Sequence, residues 1–228
     1  MQITLSFEKT VSSDISIMVD VLRASTTITL GLNNFNEIIP CFSPEQAFEL
    51  KNKCGGLIAG ERGGAKVEGF DMGNSPTEIG NFKGSIKTLI LTTSNGVRIL
   101  EAMNSDVLIG CLANANSVAQ KSLELAETHI DVVMAGINRD FAIEDYLAGG
   151  VIIHQISKLY DGCEISEYAK SAVLASRDYK QFKKAFHESA SGKILTGLGY
   201  EQDIDLCLKM NTSNNVGFYK NNKIINIL

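Results

Sequence analysis

Apolar residues in the first two thirds of the chain occur in short runs, and each run is followed by a polar turn and a segment with helical spacing. Ile3, Leu5 and Phe7 alternate with polar residues, which predicts a half-buried strand. The nearly continuous apolar run at 15–22 predicts a buried central strand. Strands that alternate with helices in this way indicate an α/β fold. We expect a three-layer α/β/α arrangement, in which helices cover both faces of a largely parallel or mixed sheet.

The other elements of this part follow from the same periodicities and from capping residues. We expect Ser25, Ser43 and Ser75 to cap helices, and the last of these opens a capping-box pattern with Pro76 at the first helical position. The predicted helices are 26–32, 44–53, a helix that begins at 76, 97–103, and a helix from Asn114 or Asn116 to about 127, and the predicted strands are 37–39, 57–59, 88–91, 107–109 and 131–135.

Helical spacing dominates after residue 143. The runs 217–219 and 224–227 flank Asn221-Asn222, a turn dipeptide, and they predict a terminal β-hairpin. Because the chain contains no linker or internal repeat, we predict a single domain over residues 1–228 with a helical C-terminal part. The predicted helices of this part are 143–158, 166–176, 179–189 and 204–210, with a glycine-punctuated turn at 192–199.

The stretch 60–76 is rich in glycine and in charged residues, and it separates two apolar, periodic segments. Its glycines allow backbone N–H groups to approach oxyanions closely. Arg62 and Lys66 supply positive charge, and Glu61 and Asp71 are oxygen ligands suited to a divalent cation. We interpret this stretch as an anion-binding loop, with a long solvated loop as the alternative.

Composition narrows the class of protein. The chain has 44% hydrophobic and 21% charged residues, which is typical of a globular protein. A formal net charge of -5 argues against a nucleic-acid surface, which needs a basic patch. The five cysteines are far apart in the sequence and odd in number, which indicates thiols that stay reduced, as they do in a reducing compartment. With neither an export signal nor an apolar run of about 18 residues, we expect a cytoplasmic protein without membrane contact.

Polar turns follow several of the predicted strands, at 20–25, 92–96 and 136–145. In α/β sheets, ligands bind at the carboxyl ends of the strands, so we expect these turns to converge on the loop at 60–76. The hydroxyl-rich turn 92–96 precedes a helix and is suited to a phosphate, although it lacks the lysine of a Walker motif. A simple helix cap is the alternative for this turn.

An acid at the end of a buried strand, as at Asp20, is costly unless it is paired or binds a metal. Arg23, three residues later, is a candidate partner, and metal binding or nucleophilic work is the functional alternative. An Asp-x-Asp pattern would indicate an aspartyl-phosphate mechanism, but Leu22 occupies the second position. Glu144 and Asp145 begin a predicted helix, where acids either favour the helix dipole or serve a metal site.

Five motifs of the chain form a distinctive set, and their order and spacing are part of it. They are Asp20-Val21-Leu22-Arg23-Ala24-Ser25-Thr26-Thr27, Gly60-Glu61-Arg62-Gly63-Gly64, Gly69-Phe70-Asp71-Met72-Gly73-Asn74-Ser75-Pro76, Thr92-Thr93-Ser94-Asn95-Gly96, and Phe141-Ala142-Ile143-Glu144-Asp145 followed by Ala148-Gly149-Gly150. Taken together, these motifs resemble the 2-phosphosulfolactate phosphatase family over about residues 15 to 210. The resemblance implies a magnesium-dependent phosphatase that hydrolyses 2-phospho-3-sulfolactate to 3-sulfolactate and phosphate, a step in coenzyme M biosynthesis.

The residues and the resemblance together define a candidate site. The candidate catalytic residues are Asp20, Arg23, Glu61 and Asp71. The candidate substrate-binding residues are Ser25, Arg62, Gly63, Gly64, Lys66, Asn74, Ser75, Thr92, Thr93, Asn95 and Gly96, with Arg98 or Arg139 as further cations. The candidate ligands of Mg²⁺ are Asp20, Glu61, Asp71, Glu144 and Asp145.

The expected partner is a small anionic substrate, and a homodimer is a candidate assembly. We expect in-line attack on phosphorus by a metal-positioned water, with a covalent phospho-enzyme through Asp20 as the alternative. Two other functions stay open: a non-catalytic protein that binds small phosphorylated or sulfonated acids, and a phosphatase for another 2-phospho-hydroxy acid. Carboxylates beside an anion site favour the enzyme, because they repel the ligand unless a cation intervenes.

Overall fold

The strands of the protein are defined by a computed structural model, which describes residues 1–12 and 14–228. They agree with the predicted strands in order, and most are longer than predicted. The strands are β1 (Gln2–Phe7), β2 (Ile15–Val19), β3 (Glu37–Cys41), β4 (Leu57–Arg62), β5 (Ala65–Lys66), β6 (Thr88–Thr92), β7 (Asp106–Gly110), β8 (His129–Met134), β9 (Glu164–Ile165), β10 (Gly217–Lys220) and β11 (Lys223–Asn226).

The helices alternate with the strands up to β8 and then dominate, as predicted. No helix in the described ranges is long and apolar enough to cross a membrane. The helices are α1 (Ala24–Gly31), α2 (Pro44–Cys54), α3 (Pro76–Gly80), α4 (Gly96–Glu101), α5 (Ala115–Leu125), α6 (Ile143–Leu159), α7 (Glu167–Ala175), α8 (Tyr179–Glu188), α9 (Ala190–Gly197) and α10 (Glu201–Cys207), with a 3₁₀ turn at Leu112–Asn114 before α5.

Two of the three predicted serine caps are confirmed. The Ser43 and Ser75 hydroxyl oxygens accept hydrogen bonds from the N–H groups of Gln46 and Glu78, at 3.2 Å each. The prediction for Ser25 is wrong, because this residue lies inside α1. The helix begins at Ala24, two residues earlier than predicted, and the Asp20 carboxylate accepts the Ala24 N–H at 3.4 Å.

The stretch 60–76 begins as regular structure and not as a loop, which corrects the predicted strand end at 59. β4 continues to Arg62 and pairs with β5 in an antiparallel hairpin. The turn between them consists of Gly63 and Gly64, whose φ angles are +58° and +84°. Only glycine adopts such angles without a steric penalty, so these glycines are required by the hairpin itself.

The predicted glycine turn at 192–199 is also wrong, because residues 190–197 form α9. The Ser189 hydroxyl oxygen accepts the Gly192 N–H at 3.0 Å and caps the helix. A Cβ atom at Gly192 would lie 2.0 Å from the carbonyl oxygen of Phe186. This glycine therefore allows close packing of α9 on the end of α8, and it does not break the helix.

The strands of the described chain form one sheet in the order β5-β4-β6-β3-β11-β10-β7-β2-β8-β1-β9. The terminal β10–β11 hairpin is confirmed, but it lies in the middle of the sheet. β11 pairs with β3 and β10 pairs with β7, both antiparallel, so the hairpin joins two parallel halves. The sheet is therefore mixed, which is one of the two arrangements predicted from the sequence.

By pairing alone the two halves run in opposite directions, because three antiparallel pairings separate β3 from β7. The usual twist between neighbouring strands, about 20–25°, adds up to about 120–150° over the six pairings from β4 to β2. This rotation is enough to turn the two halves towards a common direction. It accounts for the meeting of turns from both halves at one site.

Helices cover both faces of the sheet, which confirms the three-layer α/β arrangement. On the half that contains β2 and β8, α5 and α6 pack on one face, with Ile17, Val132 and Ile152 in the core between them. α1, α3 and α4 share a second core with both halves of the sheet. α2 covers the other face of β4 and β6 over Ile58 and Ile90. The layers thus hold both sets of strand ends in place.

Candidate active site

A cavity of about 530 Å³, measured with its open mouth, lies where the turns after β2, β4, β6 and β8 meet. The predicted convergence of these polar turns is therefore confirmed. The lining residues are Asp20, Leu22, Arg23, Glu61, Gly63, Gly64, Asn74, Thr93, Ser94, Asn95, Ile137, Asn138, Ser191, Ile194 and Leu195.

Asp20 follows β2 and enters the cavity from a buried position, with 6% of its surface exposed. Burial, together with the nearby Glu61 and Glu144 carboxylates, raises the pKa of its carboxyl group to about 7, while the Ala24 N–H and Arg23 oppose the shift. A Cβ atom at Gly96 would lie 3.1 Å from Asp20 Oδ2. Glycine at this position therefore lets the start of α4 approach the carboxylate.

Glu61 occupies the equivalent position near the end of β4 and is 8% exposed. Its Oε2 accepts the Gly64 N–H at 2.8 Å, and its Oε1 accepts the Ser94 N–H at 2.7 Å. One carboxylate thus fixes the glycine turn of the β4–β5 hairpin to the turn after β6. Both N–H groups lie in turns that were expected to bind the substrate anion, and this glutamate occupies them.

Arg23 lines the cavity with a guanidinium group that is 2% exposed. Its Nη1 donates to Asp203 Oδ2 at 2.8 Å, its Nη2 donates to the Gly64 carbonyl at 2.7 Å, and its plane lies 4.5 Å from the centre of the Tyr200 ring. The candidate ion pair between Arg23 and Asp20 is therefore not formed. Arg23 is held rigidly, and three of its five N–H donors remain available.

Asp203 is a residue of this site that the sequence did not single out. It lies in the first turn of α10 and is 2% exposed. Besides Arg23, it binds the Ser75 hydroxyl, which donates to Oδ1 at 2.8 Å. Acids are common in first turns because they favour the helix dipole, so nothing in the local sequence distinguished this one.

The two acids at the start of α6 have different environments. Asp145 accepts the Val21 N–H at 2.8 Å and the Gly136 N–H at 3.0 Å, and so it connects the turns after β2 and β8. Burial, with Asp20 and Glu144 nearby, raises the pKa of Asp145 despite these two donors. Glu144 is 2% exposed, and its carboxylate receives no hydrogen bond from any described residue. The charge of Glu144 is therefore less compensated than the charge of Asp145.

Asp71 does not join the other acids at the cavity. Its carboxylate accepts two hydrogen bonds from Lys51, at 2.9 and 2.7 Å, and one from the Ile58 N–H at 2.9 Å. Ile58 precedes Glu61 by three residues of β4, about 10 Å along the strand. This location corrects the expectation that Asp71 would share a cation with Asp20 and Glu61. Its ion pair with Lys51 compensates its charge instead.

Two side chains that were predicted to supply positive charge to the site, Arg62 and Lys66, also form their hydrogen bonds outside the cavity. Arg62 donates to the carbonyl of Glu61 at 2.6 Å and to the Thr92 hydroxyl at 3.0 Å, and Lys66 donates to the carbonyl of Asp71 at 2.9 Å. Neither residue lines the cavity. The other candidates divide into Gly63, Gly64, Asn74, Thr93 and Asn95, which line the cavity, and Ser25, Ser75, Thr92 and Gly96, which are buried behind it.

Asn74 has an unsatisfied polar atom beside the cavity. The residue is 3% exposed, and its Oδ1 has no hydrogen-bond partner among the described residues. A buried carbonyl oxygen without a partner costs about 1–3 kcal/mol. An oxygen acceptor at this position is suited to a donor group or to a cation.

An apolar wall closes one side of the cavity, and the sequence did not predict it. Ile194 and Leu195 come from α9, and Leu22 and Ile137 come from the turns after β2 and β8. The spacing of Ser191, which also lines the cavity, Ile194 and Leu195 places them on one helical face. This periodicity is the signal that could have revealed the helix.

The donor set fits a divalent cation. Asp20, Glu61 and Glu144 are buried and close enough to influence one another, yet none forms an ion pair in the described ranges. Among residues 1–12 and 14–228, no three Asp, Glu, His or Cys side chains have the spacing of a ready-made metal cage. Mg²⁺ does not need one, since it is usually bound by one or two carboxylates, several waters and substrate phosphate.

Comparison with known proteins relates almost the whole chain to one family. Residues 3–222 match the sequence model of the 2-phosphosulpholactate phosphatase family. The 2-phosphosulfolactate phosphatase of Methanothermobacter thermautotrophicus is 47% identical over 224 residues, which cover 98% of this chain and 95% of the relative. The 2-phosphosulfolactate phosphatase of Methanocaldococcus jannaschii is 37% identical over 92% of this chain and 91% of the relative. A probable 2-phosphosulfolactate phosphatase of Clostridium beijerinckii is 32% identical over 95% and 93%.

Proposed function

Because this chain belongs to the 2-phosphosulfolactate phosphatase family and is a phosphoric monoester hydrolase, we propose that it hydrolyses 2-phospho-3-sulfolactate to 3-sulfolactate and phosphate with Mg²⁺ as cofactor. The observation that supports this most directly is the lining of the cavity, where Arg23 lies beside the carboxylates of Asp20 and Glu61. An anionic substrate enters such a site only when a cation compensates the acids.

Asp20, Glu61 and Glu144 are the residues that would hold Mg²⁺, with the free Oδ1 of Asn74 as a neutral oxygen nearby. When bound, Mg²⁺ supplies charge neutralisation and lowers the pKa of a coordinated water. Asp145 and Asp71 are assigned structural roles, because hydrogen bonds to neighbouring groups occupy their carboxylates.

The chain itself orients and encloses the substrate. Arg23 lines the cavity, where the N–H donors not used by Asp203 and the Gly64 carbonyl would bind the phosphoryl oxygens, and those two partners fix its orientation. Glu61 keeps the turns after β4 and β6 at a fixed separation. Ile194 and Leu195 exclude bulk water from the reacting group, which strengthens the electrostatic interactions inside. Water attacks phosphorus and the bond between phosphorus and the C2 oxygen breaks. One proton of the water reaches the C2 oxygen, so that 3-sulfolactate leaves as the alcohol, and the other proton stays with the phosphate.

Phosphate release separates this proposal from a non-catalytic binding protein. We expect ³¹P NMR to show the signal of 2-phospho-3-sulfolactate replaced by that of inorganic phosphate, and ¹H NMR to show an equal amount of 3-sulfolactate. EDTA should stop the conversion and added Mg²⁺ should restore it. Tight binding of the phosphate ester without release of phosphate would contradict the proposal.

The alternative mechanism, a phospho-enzyme on Asp20, has a separate test, because Asp20 lines the cavity and is within reach of the substrate. A phosphorothioate analogue of the substrate, made chiral at phosphorus with ¹⁷O and ¹⁸O and hydrolysed in ¹⁶O-water, distinguishes the two mechanisms, because the thiophosphate product is still chiral. A single attack by water inverts the configuration at phosphorus, whereas two successive displacements retain it. We expect inversion, and retention would favour the covalent intermediate.

A second candidate substrate class consists of other 2-phospho-hydroxy acids, and the apolar wall favours it. An uncharged substituent can pack against this wall as readily as a sulfonate can lie beside it. The wall consists of Leu22, Ile137, Ile194 and Leu195. A comparison of kcat/KM between 2-phospho-3-sulfolactate and 2-phospholactate decides which is preferred. We further propose that the enzyme acts in the cytoplasm in coenzyme M biosynthesis, and its free thiols agree with a reducing compartment.

A further inference from the structure

The substrate proposed above carries more negative charge than the cavity compensates. Phosphate, carboxylate and sulfonate are all ionised at neutral pH. Among the lining residues, Arg23 supplies the positive charge. The phosphoryl group must lie deep, beside Arg23 and the acids. The carboxylate and the phosphate ester are attached to the same carbon atom, C2, so the carboxylate lies at a similar depth in the cavity. The sulfonate, at the other end of the three-carbon chain, extends towards the mouth.

The other cations around the cavity are already engaged. Arg62 and Lys66 donate to carbonyl groups of the stretch 60–76. Arg98 forms an ion pair with Glu8 at 2.7 Å and donates to the Ala135 carbonyl at 3.4 Å. These bonds direct the three side chains away from the cavity lining.

Arg139 differs from these cations. It is exposed, and within residues 1–12 and 14–228 its guanidinium group forms neither a hydrogen bond nor an ion pair. Asn138, the residue before it, lines the cavity. Arg139 is therefore an uncommitted arginine beside the mouth.

The backbone holds Arg139 there in a conformation that is unfavourable for a residue with a side chain. Ile137 and Asp140 exchange two backbone hydrogen bonds, at 3.0 and 2.8 Å, and close a two-residue turn. Asn138 and Arg139 form the turn with φ angles of +51° and +70°, where asparagine and glycine are the preferred residues. The Asn138 N–H donates to Asn95 Oδ1 at 3.2 Å and connects the turn to the cavity. Residues held in such backbone conformations cluster at functional sites.

We propose that Arg139 is the specificity-determining residue that binds the sulfonate of the substrate at the mouth of the cavity. This inference rests on the proposed function. The planar guanidinium group offers a fork of donors that matches two oxygens of an oxyanion. Arg139 contacts the group that distinguishes 2-phospho-3-sulfolactate from 2-phospholactate, and it does not contact the reacting phosphorus.

The Arg139→Gly variant tests this proposal without disturbing the turn. Glycine adopts a φ angle of +70° freely, so the variant keeps the fold and removes only the side chain. We expect kcat/KM for 2-phospho-3-sulfolactate to fall by about 10- to 100-fold, as for the loss of a hydrogen bond between charged groups. The value for 2-phospholactate, which lacks the sulfonate, should change by less than about threefold. Arg177→Ala, an exposed arginine after α7, is the matched control and should leave both values unchanged.

Equal losses on both substrates, or no loss on either, would overturn the assignment of Arg139. Calorimetric titration with 3-sulfolactate provides a second measurement that needs no turnover. Wild type should bind it more tightly than lactate, and Arg139→Gly should remove that difference. A wild-type protein that shows this difference but releases no phosphate would contradict the proposed function while supporting the role of Arg139. No difference between 3-sulfolactate and lactate in wild type would refute that role.

Discussion

At the scale of the residue, the buried charges of the site fall into two groups within the described chain, acids without an ion pair and an arginine with one. Asp20, Glu61 and Glu144 are at most 8% exposed, and their charges are not compensated by an ion pair in the described chain. Arg23 is the opposite case, because a buried aspartate, a carbonyl and an aromatic ring hold it. The three acids are thus less compensated than the arginine beside them.

We predict that Asp20→Asn stabilises the metal-free protein at pH 8 more than at pH 5.5. The folded-state pKa of Asp20 is raised from 3.8 to about 7, so the folded protein binds a proton that the unfolded chain releases. That contribution to stability is present at low pH and is lost as pH rises towards 7 and above. Asparagine has no such dependence, and its Oδ1 can still accept the Ala24 N–H. Thermal unfolding in EDTA measures the effect. A difference in Tm between variant and wild type that does not grow with pH would refute it.

We predict that Asp203→Asn weakens both folding and catalysis because it leaves Arg23 without its charged partner. Removing one member of a buried ion pair costs about 3–5 kcal/mol. Urea unfolding should show this loss, and kcat/KM should fall because Arg23 is no longer oriented. Asp205→Asn is the matched control on the same helix. Its carboxylate is exposed and faces Lys183 at 3.7 Å, so the change should cost less than about 1 kcal/mol. Similar losses in the two variants would contradict the role of Asp203.

At the scale of the element, α9 supplies apolar side chains to a cavity that is otherwise lined mainly by polar turns. Its face with Ile194 and Leu195 packs against the glycine turn of the β4–β5 hairpin, where a Cβ atom at Gly64 would lie 3.0 Å from Ile194 Cγ2. Two glycines in this region have opposite environments. Gly192 lies against the carbonyl of Phe186, whereas no atom lies within 4 Å of a Cβ placed at Gly197.

We therefore predict opposite effects for alanine at these two glycines. Gly192→Ala should destabilise the protein, because its Cβ atom would lie 2.0 Å from a backbone oxygen. Gly197→Ala should be neutral or stabilising by about 0.5–1 kcal/mol, because alanine favours the helix and reduces the entropy of the unfolded chain. Chemical unfolding of the two variants is the measurement. If residues 192–199 formed the predicted glycine turn, Gly197→Ala would destabilise as well.

Local patterns predicted much of the chain, and the errors have physical causes. Alternation and apolar runs identified the strands, and Ser43 and Ser75 identified helix starts, because these signals depend on neighbouring residues. Glycine has more than one use, so the pattern could not distinguish the tight packing at Gly192 from a turn. The turns that form the cavity were predicted from strand ends. Asp203 and the partner of Asp71 could not be predicted, since their contacts join residues far apart in sequence.

At the scale of the whole molecule, the β10–β11 hairpin joins the two parallel halves whose turns build the cavity. The Ile224 side chain is fully buried in the core that both halves share, whereas its neighbour Ile225 is 41% exposed. The sequence predicted the hairpin but not its place in the sheet, because strand order is determined by packing between distant segments.

We predict that Ile224→Ala costs about 2–4 kcal/mol and weakens both halves of the sheet. Hydrogen exchange should increase in β4 and β6 as well as in β2 and β8, because the cavity left behind lies in their common core. Ile225→Ala is the matched control and should cost less than about 1 kcal/mol, since its side chain is largely in solvent. Faster exchange confined to one half would contradict the connecting role of the hairpin.

The most direct test of the central claim is a single assay of phosphate release from 2-phospho-3-sulfolactate, with wild type and Asp20→Asn side by side in Mg²⁺. Wild type should release phosphate in a reaction that EDTA stops and Mg²⁺ restores, and Asp20→Asn should release none while it remains folded. Release that continues in EDTA, or an Asp20→Asn variant as active as wild type, would contradict the account.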